Sequence, residues 1–318
     1  ATSFGTLVAT RFLAGAFGGP ATSLSIAIVS DVIPATRRGW AMGIVMGGFA
    51  VASVLGVPAG LMLARFGGWP TPFLGIGALI LIACGFAFRL LPTMRDHIIK
   101  RSTEPVLTSF ARFFSDRTVL LSLGLSGLVM MSGFILIPNI ATFVQNNLRF
   151  PARDVELLYL FGGLASLVTT RVVGPMVDRY RATRVVSVGT ALLALVIWMW
   201  FIDGSRHMPM LVLSTAFFIA MSIRGVAFNT LTSKVAPAAE RARFQSAQGA
   251  VQHAGGALAA FTSSILLSEL PDHTLLHIER AGWVSIALSC CVPLMVVVVD
   301  RSLLARERAL AAKGPNSP

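Results

Sequence analysis

Nine stretches of the chain, near residues 6–30, 41–64, 72–91, 118–140, 155–173, 185–202, 209–231, 245–267 and 282–299, run apolar for long enough to cross a bilayer. Hydrocarbon offers no water to backbone N–H and C=O groups, so each stretch must satisfy its own hydrogen bonds by folding as a helix. Composition points the same way. Only 13% of residues are charged and 55% are hydrophobic, against about 25% charged in soluble domains. The fold class that follows is all-α, a polytopic helical membrane protein.

Orientation comes from the basic residues. Of 26 Lys and Arg, 18 fall in one set of alternating connections and 5 in the other, while Arg11, Arg171 and Arg224 lie inside spans. Cytoplasmic loops retain positive charge, so the richer set, with the C-terminus, is expected in the cytoplasm and Ala1 outside. The net charge of +12 is explained by these loops, and no nucleic-acid partner is expected. Cys84, Cys290 and Cys291 all lie in apolar runs, which implies neither a disulfide framework nor a zinc site. His273 and His277 stand near Glu269 and Asp272 without a fuller ligand set, so no metal is expected. No charged region followed by a cleavage site opens the chain, so no signal peptide is expected.

The chain also repeats itself. Asp31-Val-Ile-Pro34-Ala-Thr-Arg37-Arg38-Gly39 is echoed by Lys234-Val-Ala-Pro237-Ala-Ala-Glu240-Arg241-Ala242, and Gly68-Trp69 by Gly282-Trp283. Spans one to three therefore correspond to spans seven to nine, and the spans at 118, 155 and 185 lack partners. Three further helices are expected ahead of Ala1, for twelve in two related halves. On this reading residues 1–91 form the second half of an N-terminal bundle. Residues 92–117 are a cytoplasmic linker, 118–300 a C-terminal six-helix bundle, and 301–318 a cytoplasmic tail.

Between spans five and six stands Gly174-Pro-Met-Val-Asp178-Arg179-Tyr180-Arg181-Ala-Thr-Arg184, read as a basic, Gly/Pro-broken turn. It resembles the cytoplasmic loop motif of the major facilitator superfamily, with Arg181 where that motif has Gly. Arg11-Phe-Leu-Ala-Gly15 resembles the fourth-helix motif of proton-coupled members, although Ala14 replaces the usual Gln. Gly56-Val-Pro58-Ala-Gly60 resembles the fifth-helix motif of the drug, sugar and nucleoside efflux branch, whose Gly-Trp-Arg is Gly68-Trp69-Pro70 here. The resemblance implies two bundles rocking about a midplane site, driven by a proton gradient, with no cofactor and no enzymatic activity. It further implies a monomer in a bacterial inner membrane that carries a small organic molecule.

Arg11 lies roughly 8 Å inside its span at 1.5 Å per residue, and Arg224 lies deeper. Intramembrane Arg residues face cavities or partners because lipid exposure is costly, so both are candidates for the substrate or proton pathway. The alternatives are an Arg11 that snorkels outward, and for either residue a packing role. All 14 Asp and Glu fall in loops or at span ends, so no acid partner for Arg11 is evident. The resemblance places the titrating carboxylate in the expected upstream helices. Gln245, Gln248 and Gln252 share one face of span eight, with His253 pointing away; they either line a cavity or glue helices. Asn139 and Asn229 are further candidates for substrate hydrogen bonds. Gly43/Gly47 and Gly56/Gly60 have spacing for close helix approach, with Pro58 as a bend between them. By family analogy Gly174, Asp178, Arg179 and Arg38 form a latch, with Asp178 meeting the start of span two near Gly39–Gly43. Proton-coupled efflux by alternating access is the leading reading. An uptake permease for a small organic anion and a non-transporting remnant remain open beside it.

Overall fold

The structure is a computed structural model that describes residues 3–33, 52–90, 113–204, 208–236 and 240–312. Among these, nine long helical elements follow one another: α1 (Phe4–Val32), α2 (Val57–Gly67), α3 (Thr71–Leu90), α4 (Arg117–Phe134), α5 (Val155–Tyr180), α6 (Ala182–Ile197), α7 (Met210–Thr232), α8 (Arg241–Leu266) and α9 (Ile278–Ala312). A π-helical turn, Ala52–Gly56, leads into α2, and short 3₁₀, α and π turns carry α4 on to Asn147. A two-stranded hairpin, β1 (Ser268–Glu269) with β2 (Leu275–Leu276), joins α8 to α9. Six stretches among the described residues are long and apolar enough to cross a membrane by length and composition. Together these features make the chain an all-α, multi-pass membrane protein.

One expectation needs correction. Residues Gly174–Tyr180 are not a turn but the last two turns of α5, with Pro175 inside the helix. The turn itself is Arg181, at φ 67° and ψ 141°, and α6 begins at the next residue. Proline removes one ladder donor and bends a helix without ending it when the flanking residues keep their bonds. Beyond Asp300, in the stretch expected as a cytoplasmic tail, the chain stays helical through Ala312. Leu, Ala, Arg and Glu are strong helix formers, and α9 continues through them.

Helices α4 to α9 enclose two apolar cores. One gathers Leu136, Phe143, Leu158, Ile197, Trp200 and Phe217. The other gathers Leu125, Val177, Val186, Phe228, Phe244 and Val296. By contrast α3 has no buried residue and turns most of its apolar surface outward, as Leu79, Leu81, Phe86 and Phe88 show. In a bilayer such a surface is solvated by lipid tails, so it carries no penalty there. The N-terminal helices touch the six-helix bundle along two seams, α1 against α8 and α2 against α5.

Close packing within the bundle uses glycines other than those the sequence suggested. A Cβ on Gly255 of α8 would stand 2.8 Å from the Gly127 carbonyl oxygen of α4, whereas one on Gly56, Gly60 or Gly174 would have nothing within 4 Å. Backbone approach therefore selects Gly255. The role expected for Gly56 and Gly60 in close helix approach is not realised among the described residues.

Helix ends sort onto two faces as alternating loops require. On one face Arg306 pairs with Asp116 at 3.4 Å and donates to the Val235 carbonyl. Asp116 also caps α4 by accepting from Thr118 N–H. On the other face Asn146 and Asn147 donate to carbonyls of the hairpin, at His273 and Leu275.

Candidate functional site

Between the two apolar cores lies a polar waist. On α7, Arg224 falls between Ala220 and Ala227 on the buried face and is 1% exposed. Its Nη1 donates to Ser132 Oγ of α4 at 2.9 Å and to Ser289 Oγ of α9 at 3.2 Å. Nη2 reaches the Val129 carbonyl at 3.4 Å, and Nε is buried without an acceptor. Ser285, one turn before Ser289, donates to the Ser132 carbonyl. Thr190 of α6 is buried at the same level of the bundle, its hydroxyl without a partner. Hydroxyls tolerate apolar surroundings because each can donate back to its own helix, as Ser132 does to Val129. They can solvate a guanidinium but cannot neutralise it. Among the described residues no carboxylate pairs with Arg224, and its positive charge at the waist is uncompensated by any of them.

The second feature is the seam between the two groups of helices. Arg65, in the last turn of α2, donates from Nη1 to Glu156 Oε1, in the first turn of α5, at 2.7 Å. Both ends belong to the face poorer in basic residues. The pair is partly solvated, with side-chain exposures of 54% and 25%, so its net strength is about 0–1 kcal/mol.

The other predicted residues are dispersed. Arg11 is exposed, its guanidinium carbon 4.9 Å from the Phe73 ring centroid, which links α1 to α3. Asn139 donates to Ser263 Oγ at 2.8 Å and so fastens the continuation of α4 to α8. Gln248 reaches Thr232 Oγ1 at 3.4 Å, while Gln252 is half-buried and His253 exposed on the neighbouring face. Asn229 is exposed near the end of α7. Pro58 sits in the first turn of α2, where its missing N–H costs nothing. Arg179 stacks on its neighbour Tyr180. Arg38, Gly43, Gly47 and the side chain of Asp178 lie outside the described residues, as does most of the 92–117 linker. The latch contact between Asp178 and span two therefore has no observation bearing on it.

On the hairpin face, His273 pairs with Glu269 while His277 turns to Glu279 at 3.5 Å. Thr274 donates its hydroxyl and its N–H to Asp272, holding that carboxyl below its usual range. Between α5 and α7 runs an open groove of about 600 Å³, lined by Phe161, Leu164, Val168, Leu211, Val212 and Thr215.

The residues sequence reasoning missed are the serines and Glu156. Ser285 and Ser289 share a helix face at i, i+4, as do Ser122 and Ser126, and that spacing was available as a signal. The Arg65–Glu156 pair spans 91 residues and left no local trace.

A spanning helix bundle, a charged waist and a breakable seam between two groups of helices are the parts a membrane carrier needs. The family model of the Major Facilitator Superfamily matches residues 1–260. The chain belongs to the Major Facilitator Superfamily, a family of membrane transporters.

Proposed function

We propose that the protein exports a small organic molecule in exchange for protons, by alternating access. The observation that carries the reading is the seam: α2 meets α5, pinned by the partly solvated Arg65–Glu156 pair. Two groups of helices whose seam at that end holds one ion pair of about 0–1 kcal/mol can part there without unfolding. Efflux is supported by the resemblance of Gly56-Val-Pro58-Ala-Gly60, and proton coupling by that of Arg11. The proposal includes a monomer in a bacterial inner membrane, with residues 92–117 tethering the halves and the C-terminus in the cytoplasm.

A second reading has its own observation. Arg224 is a desolvated cation without an acid partner among the described residues, and an anionic substrate would neutralise it. Uptake of a small organic anion is therefore the competing function.

Everted membrane vesicles with an acidified lumen separate the two. Sugars, nucleosides, cationic drugs and small carboxylates are added while acridine orange reports the proton gradient. Proton-coupled efflux predicts dequenching by a member of the first three classes and loss of its accumulation with an uncoupler. Accumulation that ignores the uncoupler removes antiport, and transport of carboxylates alone supports the anion permease.

A further inference from the structure

A pocket of about 240 Å³ opens where α5, α6, α7 and α9 converge on the face richer in basic residues. Its polar wall is Arg181, Lys234 and Asp300, and its apolar wall includes Val177, Leu231 and Leu304. Among the described residues none of the three charged groups has an opposite charge within ion-pair distance. Two cations and one carboxylate leave the pocket with net positive charge.

Arg181 occupies this position against backbone preference. At φ 67° and ψ 141°, a Cβ is strained and glycine is the residue that fits. An arginine held there places a long basic side chain at the pocket mouth. Directly after it, α6 begins without any side-chain cap on its first N–H groups, which adds to the positive potential.

We propose that this pocket binds the phosphate of an anionic phospholipid from the adjacent leaflet. A pocket with one cationic and one apolar wall, at the end of membrane-spanning helices, suits an amphiphile: the phosphate meets Arg181 and Lys234 while the acyl region leaves past the exposed Leu304, over the buried Val177 and Leu231. A free phosphate would use the first wall and leave the second idle. Binding there requires the bilayer but no transport, so a failed transport assay leaves it standing.

The purified full chain in detergent is titrated with short-chain phosphatidylglycerol, with phosphatidylcholine of the same chain length, and with inorganic phosphate. The unfolding midpoint and the dissociation constant are followed. Phosphatidylglycerol should raise the midpoint; the other two should not at equal concentration. Arg181→Gly combined with Lys234→Gln should weaken phosphatidylglycerol binding about tenfold or more, without lowering the midpoint of the unliganded protein, because glycine suits residue 181. Arg184→Gln, a base in the first turn of α6 outside the pocket, should bind within about twofold of wild type, a fraction of one tenfold step. Wild-type binding by the double variant, or an equal loss in Arg184→Gln, would overturn the site. An equal response to phosphatidylcholine would overturn the need for an anionic lipid, and one to inorganic phosphate would overturn the lipid as its source. Should the double variant fold poorly, Lys234→Gln alone, on an exposed side chain, takes its place. Its dissociation constant for phosphatidylglycerol should rise several-fold, and an unchanged constant would equally overturn the site.

Discussion

Arg65 and Glu156 meet at 2.7 Å across the junction of α2 and α5, one of the two seams between the N-terminal helices and the six-helix bundle. Removing the pair should favour separation at that end while leaving each group folded. In a background with the exposed Cys84, Cys290 and Cys291 replaced, a cysteine at Leu157 should be labelled several-fold faster in Glu156→Gln, about the effect of losing ~1 kcal/mol. Arg65→Glu alone should act likewise, and the exchange Arg65→Glu/Glu156→Arg should slow labelling again. An unchanged rate in Glu156→Gln would show that the pair holds nothing.

Arg224 should trade stability for activity. Its guanidinium is buried on hydroxyls and carbonyls with Nε unsatisfied, so Arg224→Met removes a desolvated charge and fills similar volume. The unfolding midpoint in detergent should rise, by the equivalent of about 1–4 kcal/mol, while transport is lost. A fall in the midpoint would mean that the waist depends on the cation for its packing.

Glycine substitutions should split by position. Gly255→Val forces a side chain against the Gly127 carbonyl, 2.8 Å from the added Cβ, and should destabilise by about 1–3 kcal/mol. Gly60→Ala meets nothing within 4 Å and should be neutral or stabilising by up to about 1 kcal/mol, the helix preference for Ala over Gly. Thermal unfolding of both variants checks the contrast, and equal losses would contradict it.

Asn139 should behave as a fastener. Its bond to Ser263 ties the continuation of α4 to α8, so Asn139→Ala should cost about 1 kcal/mol of stability and leave the apparent substrate affinity unchanged. A large rise in KM with an unaltered midpoint would instead make it a substrate contact.

The all-α, membrane-spanning character of the chain was legible because it follows from a one-dimensional quantity, run length. Places where a local signal competes with tertiary context were not. Gly174-Pro175 reads as a break, yet α5 passes through it and turns only at Arg181. The motif position where glycine is usual proves to be the one with positive φ, so the departure at Arg181 has a backbone meaning. Arg224 was visible as an oddity. Its surroundings were not, because serine in a spanning helix says nothing about direction until Ser132, Ser285 and Ser289 are seen on facing helices. Spacing along one helix likewise does not say which face meets a neighbour: a Cβ on Gly56 or Gly60 would meet nothing within 4 Å, while Gly127 and Gly255, on different helices, meet.

Opposed motion at the two ends of the protein is the core of an alternating-access account. Paired spin labels report it directly, with one pair across the seam at Phe66 and Arg153, both exposed, and a second across the opposite end at Ile33 and Arg241. Electron–electron resonance should give two distance populations at each end. In Glu156→Gln the longer distance should gain weight at the seam while the shorter gains weight at the opposite end. A single unchanging distance at both ends, or movement in the same sense at both, would contradict a transporter that opens one face as it closes the other.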